Sequence, residues 1–171
     1  YSFWAGEWKG FVNGDKKPTS APAPEAKYDR ILSRVIVSCD SHPNYLDFWP
    51  LAVAAWDRVG VKPTLIIVER PGENIQIDES IGDVVRLELE DESIHTAFAA
   101  QVVRLLAPCL YPNENVTIAD MDIIPLSKEY FFQNLCRGPE DSFIEYRHGA
   151  AGGKQVPMCW NAAKGCVWAE I

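Results

Sequence analysis

No apolar run in this sequence approaches the roughly 20 residues that a membrane-crossing helix needs, and no basic start leads into a short apolar stretch as in a signal peptide. A soluble chain, cytoplasmic or otherwise intracellular, is expected. Basic residues are in the minority, with 16 Lys and Arg against 24 Asp and Glu and a formal net charge of −8. That balance argues against broad binding to nucleic acid phosphates, which needs a basic surface. The five cysteines contain no C-x-x-C pair, so zinc-ribbon and thioredoxin-type sites lack support. Their odd number and mostly apolar neighbours suit buried reduced thiols, with a Cys159–Cys166 pairing as the alternative. Also missing are H-E-x-x-H, G-x-S-x-G and P-loop patterns, which removes the zincin, serine-hydrolase and P-loop readings. His42 and His95 have no partner at metal-ligating spacing, and no internal repeat is visible. No methionine opens the chain, as expected of a fragment or a processed chain.

What is present suffices for a core. The chain has 171 residues, 47% of them hydrophobic, with six Trp, seven Phe and six Tyr, so intrinsic disorder is excluded and one folded domain is expected. The acidity is local. Residues 69–92 hold nine acids against two bases and read as a solvated, charged edge. Residues 1–30 differ from the rest: an aromatic start, Tyr1 to Phe11, precedes Lys16 to Lys27 with its three prolines, the composition of an extended linker. The folded domain is placed at residues 31–171.

From Ile31 the pattern alternates between strand and helix. Ile31 to Ser38 is a β-branched run of a buried strand. Tyr45, Trp49, Ala52, Trp56 and Val59 follow at helical spacing, with Pro50 marking a helix start or a kink and Gly60 its end. Thr64 to Val68 is a second strand, Val84 to Leu89 a third, and Val116 to Ala119 a fourth. Between the last two, Ile94, Phe98, Val102, Leu105 and Cys109 define a buried helix stripe, which puts Gln101 and Arg104 on a neighbouring one. Strands without a polar face, alternating with helices, predict an α/β fold with a mostly parallel central sheet flanked by helices. Phe143 to Tyr146 is a further predicted strand, and Gly149 to Lys154 a glycine-rich loop.

The sharpest chemical feature is Ala119-Asp120-Met121-Asp122 just beyond the fourth strand. Two acids at i and i+2 on extended backbone project to one side and can share a cation. Open α/β sheets bind ligands beyond the carboxyl ends of their strands, and hard divalent ions such as Mg²⁺ or Mn²⁺ take oxygen ligands with room for phosphate. Asp120 and Asp122 are therefore the predicted metal ligands. Arg104, whose planar fork matches phosphate or carboxylate, lies on the preceding helix with Gln101 one turn earlier. The first strand ends in Ser38-Cys39-Asp40-Ser41-His42-Pro43-Asn44, residue types that cap helices and that the same crevice rule places near a ligand.

In the order of these elements and in the segment Ala100 to Pro108 followed by VTIADMDIIPLS, residues 31–171 resemble GT-A nucleotide-sugar glycosyltransferases. The likeness is to glycogenin-like and galactosyltransferase-like enzymes and to the glycosyltransferase domains of large algal viruses. It implies that Asp120 and Asp122 hold Mn²⁺ or Mg²⁺ on a donor diphosphate. It further implies that Ser38 and Asp40 contact the nucleoside and that Gln101, Arg104 and Asn161 lie near the donor. The implied reaction is hexosyl or deoxyhexosyl transfer from a UDP- or GDP-sugar to an acceptor hydroxyl on a glycan or protein. An inverting enzyme would need a carboxylate base, for which Glu140, Asp141 and Glu145 are the candidates. The alternatives are a non-catalytic nucleotide-sugar or carbohydrate-binding domain, or a D-x-D phosphatase of the haloacid dehalogenase type. For the resembling fold 141 residues is short, and an unfinished helix is expected at Trp168 to Ile171, with part of the acceptor half lying outside this chain.

Overall fold

The computed structural model describes residues 28–147, Gly149 and residues 155–171. Most of the predicted linker therefore lies outside the described residues, but Tyr28 and Arg30 are built into the domain. Tyr28 stacks on Phe132 with ring centroids 5.2 Å apart, and buried Arg30 donates to the carbonyls of Leu135 and Pro139 and to Asn115 Oδ1.

The chain folds as an α/β domain on one six-stranded sheet of order β3-β2-β1-β4-β6-β5. In chain order the elements are β1 (Leu32–Cys39), α1 (Pro43–Leu46), α2 (Trp49–Val59), β2 (Lys62–Glu69), β3 (Asp83–Glu88) and α3 (Thr96–Leu106). After a 3₁₀ turn at Ala107–Leu110 come β4 (Asn115–Ile118), α4 (Lys128–Leu135), β5 (Ile144–Glu145), β6 (Asn161–Lys164) and α5 (Gly165–Trp168). All five predicted strands appear, β1 to β4 within one or two residues of their expected bounds and β5 inside the expected Phe143 to Tyr146, and β1 to β4 are mutually parallel. The sheet as a whole is mixed, because β6 pairs antiparallel with both β4 and β5. Trp160 re-enters the sheet at the edge where β4 finishes, its amide donating to the Ile118 carbonyl and its carbonyl accepting the Tyr146 amide, so β6 has to run back against β4.

Both faces of the sheet are covered. On one, Val35, Val37, Leu65 and Ile67 pack with Trp49 and Trp56 of α2 and with Phe131, Phe132 and Leu135 of α4. On the other, Ile36, Ile66, Val116 and Ile118 meet Ala107 and Trp168, with Val103 of α3 packed against them. α4 starts where Ser127 Oγ accepts the Tyr130 amide, a local signal that the hydrophobic pattern alone does not display.

Three expectations are corrected by this packing. Tyr45 does not continue the stripe of Trp49 to Val59: of the helix start or kink expected at Pro50 the start is found, Pro50, which has no amide proton, sitting in the first turn of α2 while Tyr45 lies in the separate α1. Gly60 does end α2, in the left-handed conformation (φ 78°). α3 is rotated from its expected setting: Phe98 is 60% exposed, while the helix buries Ala100 and Arg104. Polar anchors fix that rotation, since Ser38 Oγ donates to the Ala100 carbonyl at 2.6 Å and Arg104 reaches the end of β4. The terminal helix, expected at Trp168 to Ile171, is α5, which ends at Trp168.

α5 owes its position to Gly165. A Cβ there would overlap the Tyr111 carbonyl and come within 2.7 Å of the Pro108 carbonyl oxygen. Gly165→Ala is therefore expected to lower stability by about 1–3 kcal/mol through backbone displacement, measured as a reduced urea midpoint. An unchanged midpoint would show that this contact relaxes freely.

Among the described residues no helix is long and apolar enough to cross a membrane. All five cysteines are free, with Cys39 and Cys159 buried, Cys109 and Cys136 half-buried and Cys166 exposed, so the alternative Cys159–Cys166 pairing is not formed.

Candidate functional site

The sheet order creates the site. From β1 the chain steps outward to β2 and β3, and α3 then carries it back to β4 on the opposite side of β1. α2 and α3 cover opposite faces, so the two connections diverge between the carboxyl ends of β1 and β4. Such a switch point leaves a crevice open, and there a cleft of about 410 Å³ is found.

Six of the predicted residues line this one cleft. Ser38 and Asp40 come from the end of β1, Gln101 and Arg104 from α3, and Asp120 and Asp122 from the turn after β4. Cys39, Tyr45, Ala97, Ala100, Met121 and Ile123 complete the wall. Tyr45 was expected in the core stripe, but the break between α1 and α2 leaves it 48% exposed at the cleft, with its ring edge-on to His42. Two prolines within eight residues, Pro43 and Pro50, are the sequence signal for that break.

The contacts differ from residue to residue. Asp40 is committed to structure: one carboxylate oxygen accepts the His42 amide at 3.1 Å and the other accepts Thr96 Oγ1 at 2.9 Å. Ser38 is likewise engaged with Ala100. Arg104, only 6% exposed, donates through Nη1 to the Ala119 carbonyl at 3.0 Å and to Asp120 Oδ1. Asp120 is partly exposed at 35% of its side chain, while Asp122 is exposed and has no ion-pair partner among the described residues. The two acids do not sit on extended backbone as predicted. The Ile123 amide bonds the Asp120 carbonyl at 3.3 Å, closing a turn that carries both into the cleft wall.

Electrostatically, three carboxylates share the cleft with one guanidinium, leaving a formal charge of −2. Uncompensated acids at a partly buried site favour a cation. Among the described residues no group of three or more His, Cys, Asp or Glu converges to hold a metal ion. Asp120 and Asp122 together offer the oxygen donors that a hard divalent ion takes, and such an ion completes its shell with water and phosphate rather than with a full protein cage. The residues present fit Mg²⁺ or Mn²⁺ on those terms. The neighbouring thiols do not supply a nucleophile. Burial, with the charge of Asp40 adding to it, pushes Cys39 up to about 12. Burial also pushes Cys159, beside Asp120, up to about 11.

The remaining predicted residues lie elsewhere. Asn161 is 2% exposed, does not line the cleft, and donates to the Pro157 carbonyl. Glu140 is held by Lys164 at 2.6 Å, and Lys164 pairs with Asn115 at the start of β4. Its carboxyl is accordingly held below the ordinary range by that lysine. Asp141 belongs to the same turn region, tied by Arg30 to the amino edge of the sheet. Glu145 is the one of the three at the carboxyl edge, in register with Asn161, which is itself in register with Ile118. Of the glycine-rich stretch only Gly149 is among the described residues, in the left-handed region at φ 78°. Compared with protein-family models, curated proteins and solved structures, the chain matches none.

Proposed function

We propose that the cleft binds the diphosphate of a nucleoside-diphosphate sugar together with Mn²⁺ or Mg²⁺, and that the protein transfers the sugar to an acceptor hydroxyl on a glycan or protein. The observation that carries this reading is the pair of acids at the switch point of the sheet, in a cleft whose formal charge is −2. An anionic diphosphate cannot enter such a cleft alone, and a divalent ion matches the deficit. When bound, that ion supplies neutralisation of the charge that develops on the departing nucleoside diphosphate.

The chain's own residues have separable tasks in this reading. Asp120 and Asp122 hold the cation at the mouth of the switch point. Tyr45 presents an exposed ring against which a nucleobase stacks, and Gln101 offers an amide without a hydrogen-bond partner among the described residues. Asp40 acts indirectly by fixing the β1 end against the start of α3. For an inverting course, Glu145 is the acid on the correct edge of the sheet to take the acceptor proton.

Calorimetry with UDP- and GDP-sugars, with Mn²⁺ and with chelator, tests the reading. One donor class is expected to bind saturably, with affinity falling at least about tenfold when the metal is removed. Release of free nucleoside diphosphate on adding acceptor then separates a transferase from a binding domain. Absence of saturable binding by either donor class in the presence of Mn²⁺ removes the proposal.

A further inference from the structure

Arg104 and Asp120 form the one ion pair in the cleft among the described residues, and the pair poses a physical problem for a cation site. A guanidinium and a divalent ion on one carboxylate repel each other. Arg104 cannot simply be left alone, since it is 6% exposed and a buried charge requires a counter-charge. Its attachment is nevertheless one-sided. Among the described residues both of its hydrogen bonds run through Nη1, and Nε, shielded from solvent, has no partner. The guanidinium is thus incompletely satisfied by the protein, in a cleft wall and beside an open volume.

We infer that Arg104 makes cation and anion binding interdependent: a phosphate-bearing ligand draws the guanidinium from Asp120, and the released carboxylate joins Asp122 in holding the divalent ion. This rests on the proposed donor site and specifies how that site is regulated. A phosphate group suits the exchange because it offers the planar fork two acceptor oxygens, where Asp120 now supplies one. Before the exchange, Asp122 is the only acid of the pair without a cationic partner, and one carboxylate is a poor site for a divalent ion. Afterwards the guanidinium faces phosphate, and Asp120 and Asp122 both face the cation. Arg104 is accordingly a positioning residue for Asp120 as well as a phosphate contact.

Linkage fixes what must be observed. If diphosphate tightens Mn²⁺ by some factor, Mn²⁺ tightens diphosphate by the same factor, with about 5–150-fold the usual range for coupled sites. The experiment measures Mn²⁺ binding to the full chain by electron paramagnetic resonance of free Mn²⁺, alone and with saturating UDP, and UDP binding by calorimetry with and without Mn²⁺. Wild type is expected to bind Mn²⁺ weakly alone and at least about tenfold more tightly with UDP.

Arg104→Met should move the two ligands in opposite directions. Mn²⁺ alone binds several-fold more tightly because Asp120 is free, UDP binds more weakly, and the mutual tightening shrinks at least several-fold to what the direct contact of ion and phosphate supplies. A merely structural role for Arg104 predicts that both affinities fall or neither changes. Either result, or full retention of the tightening, overturns the inference while leaving the donor site standing. Should wild type bind neither Mn²⁺ nor UDP, the site and the inference fall together. If circular dichroism shows Arg104→Met to be unfolded, Arg104→Lys carries the same comparison: it keeps the charge without the fork, and an undiminished mutual tightening overturns the inference.

Discussion

Trp56→Ala is expected to cost about 3–5 kcal/mol of stability, the range for deleting a large aromatic from a packed core. Trp56 is fully buried on α2, with Phe131 of α4 at 5.0 Å between ring centroids, so the vacated volume lies between two helices and the sheet. Neither helix can collapse into it independently. α2 is held at its N-terminal end by Trp49, whose Nε1 donates to the Asp78 carbonyl at 3.1 Å, and α4 is held by Arg30 through the Leu135 carbonyl at 2.9 Å. For a domain whose net stability is about 5–15 kcal/mol, the loss is a large fraction of the whole. Urea unfolding followed by circular dichroism measures it. Trp56→Phe should be far milder, at less than about 1.5 kcal/mol, because it keeps most of the ring volume and removes an indole N–H that has no partner. An alanine variant as stable as the parent would show that α2 and α4 repack freely, contrary to the fixed ends described.

The residues that made the fold legible are those whose local pattern and tertiary role coincide. Val35 to Val37 and Leu65 to Val68 are β-branched or aliphatic without interruption, and both faces of their sheet are in fact covered. Gly60 closes a helix as its type requires. The misreadings arise where one residue satisfies two patterns. Phe98 and Val102 lie at helical spacing and are apolar, yet α3 is oriented by Ser38, Ala100 and Arg104, contacts that join residues up to 62 positions apart and leave no periodic trace. Tyr45 continues the stripe of Trp49 and Trp56 by spacing, and the break between two helices that each have a proline in the first turn places it at the cleft. β5 lies where its apolar and aromatic residues suggest a strand, whereas β6 is not legible. It has only four residues, and its antiparallel sense depends on where the chain re-enters the sheet at Trp160 rather than on the composition of the strand.

The same distinction governs the site. Ser38, Asp40, Asp120 and Asp122 were legible because strand ends are predictable and the crevice rule attaches chemistry to them. The acids Glu140 and Asp141 were not separable from Glu145 by sequence, since the edge each occupies is decided by pairings such as Lys164 with Asn115. The residue type of Arg104 suits a ligand phosphate and an internal carboxylate equally. Its bond to Asp120 joins residues 16 positions apart on different elements, and nothing in the spacing specifies it.

Alanine at both Asp120 and Asp122 is expected to lower Mn²⁺-dependent affinity for a nucleoside-diphosphate sugar by at least about 100-fold, since the cleft then loses both carboxylates offered to the cation and keeps only the committed Asp40. The two positions are not equivalent. Removing Asp122 takes an exposed donor with no ion-pair partner among the described residues and should leave stability nearly unchanged. Removing Asp120 also strips the buried Arg104 of its counter-charge, which costs stability in its own right. Asp120→Asn with Asp122→Asn separates the effects: the amides keep the size of both side chains and one oxygen acceptor for Arg104, while the charge needed by a divalent ion is gone. Calorimetry on a sample whose melting temperature matches the parent should therefore still show the loss of metal-dependent binding. Parental affinity in that folded double variant would mean that the acids after β4 are a solvated turn and that any donor is held elsewhere.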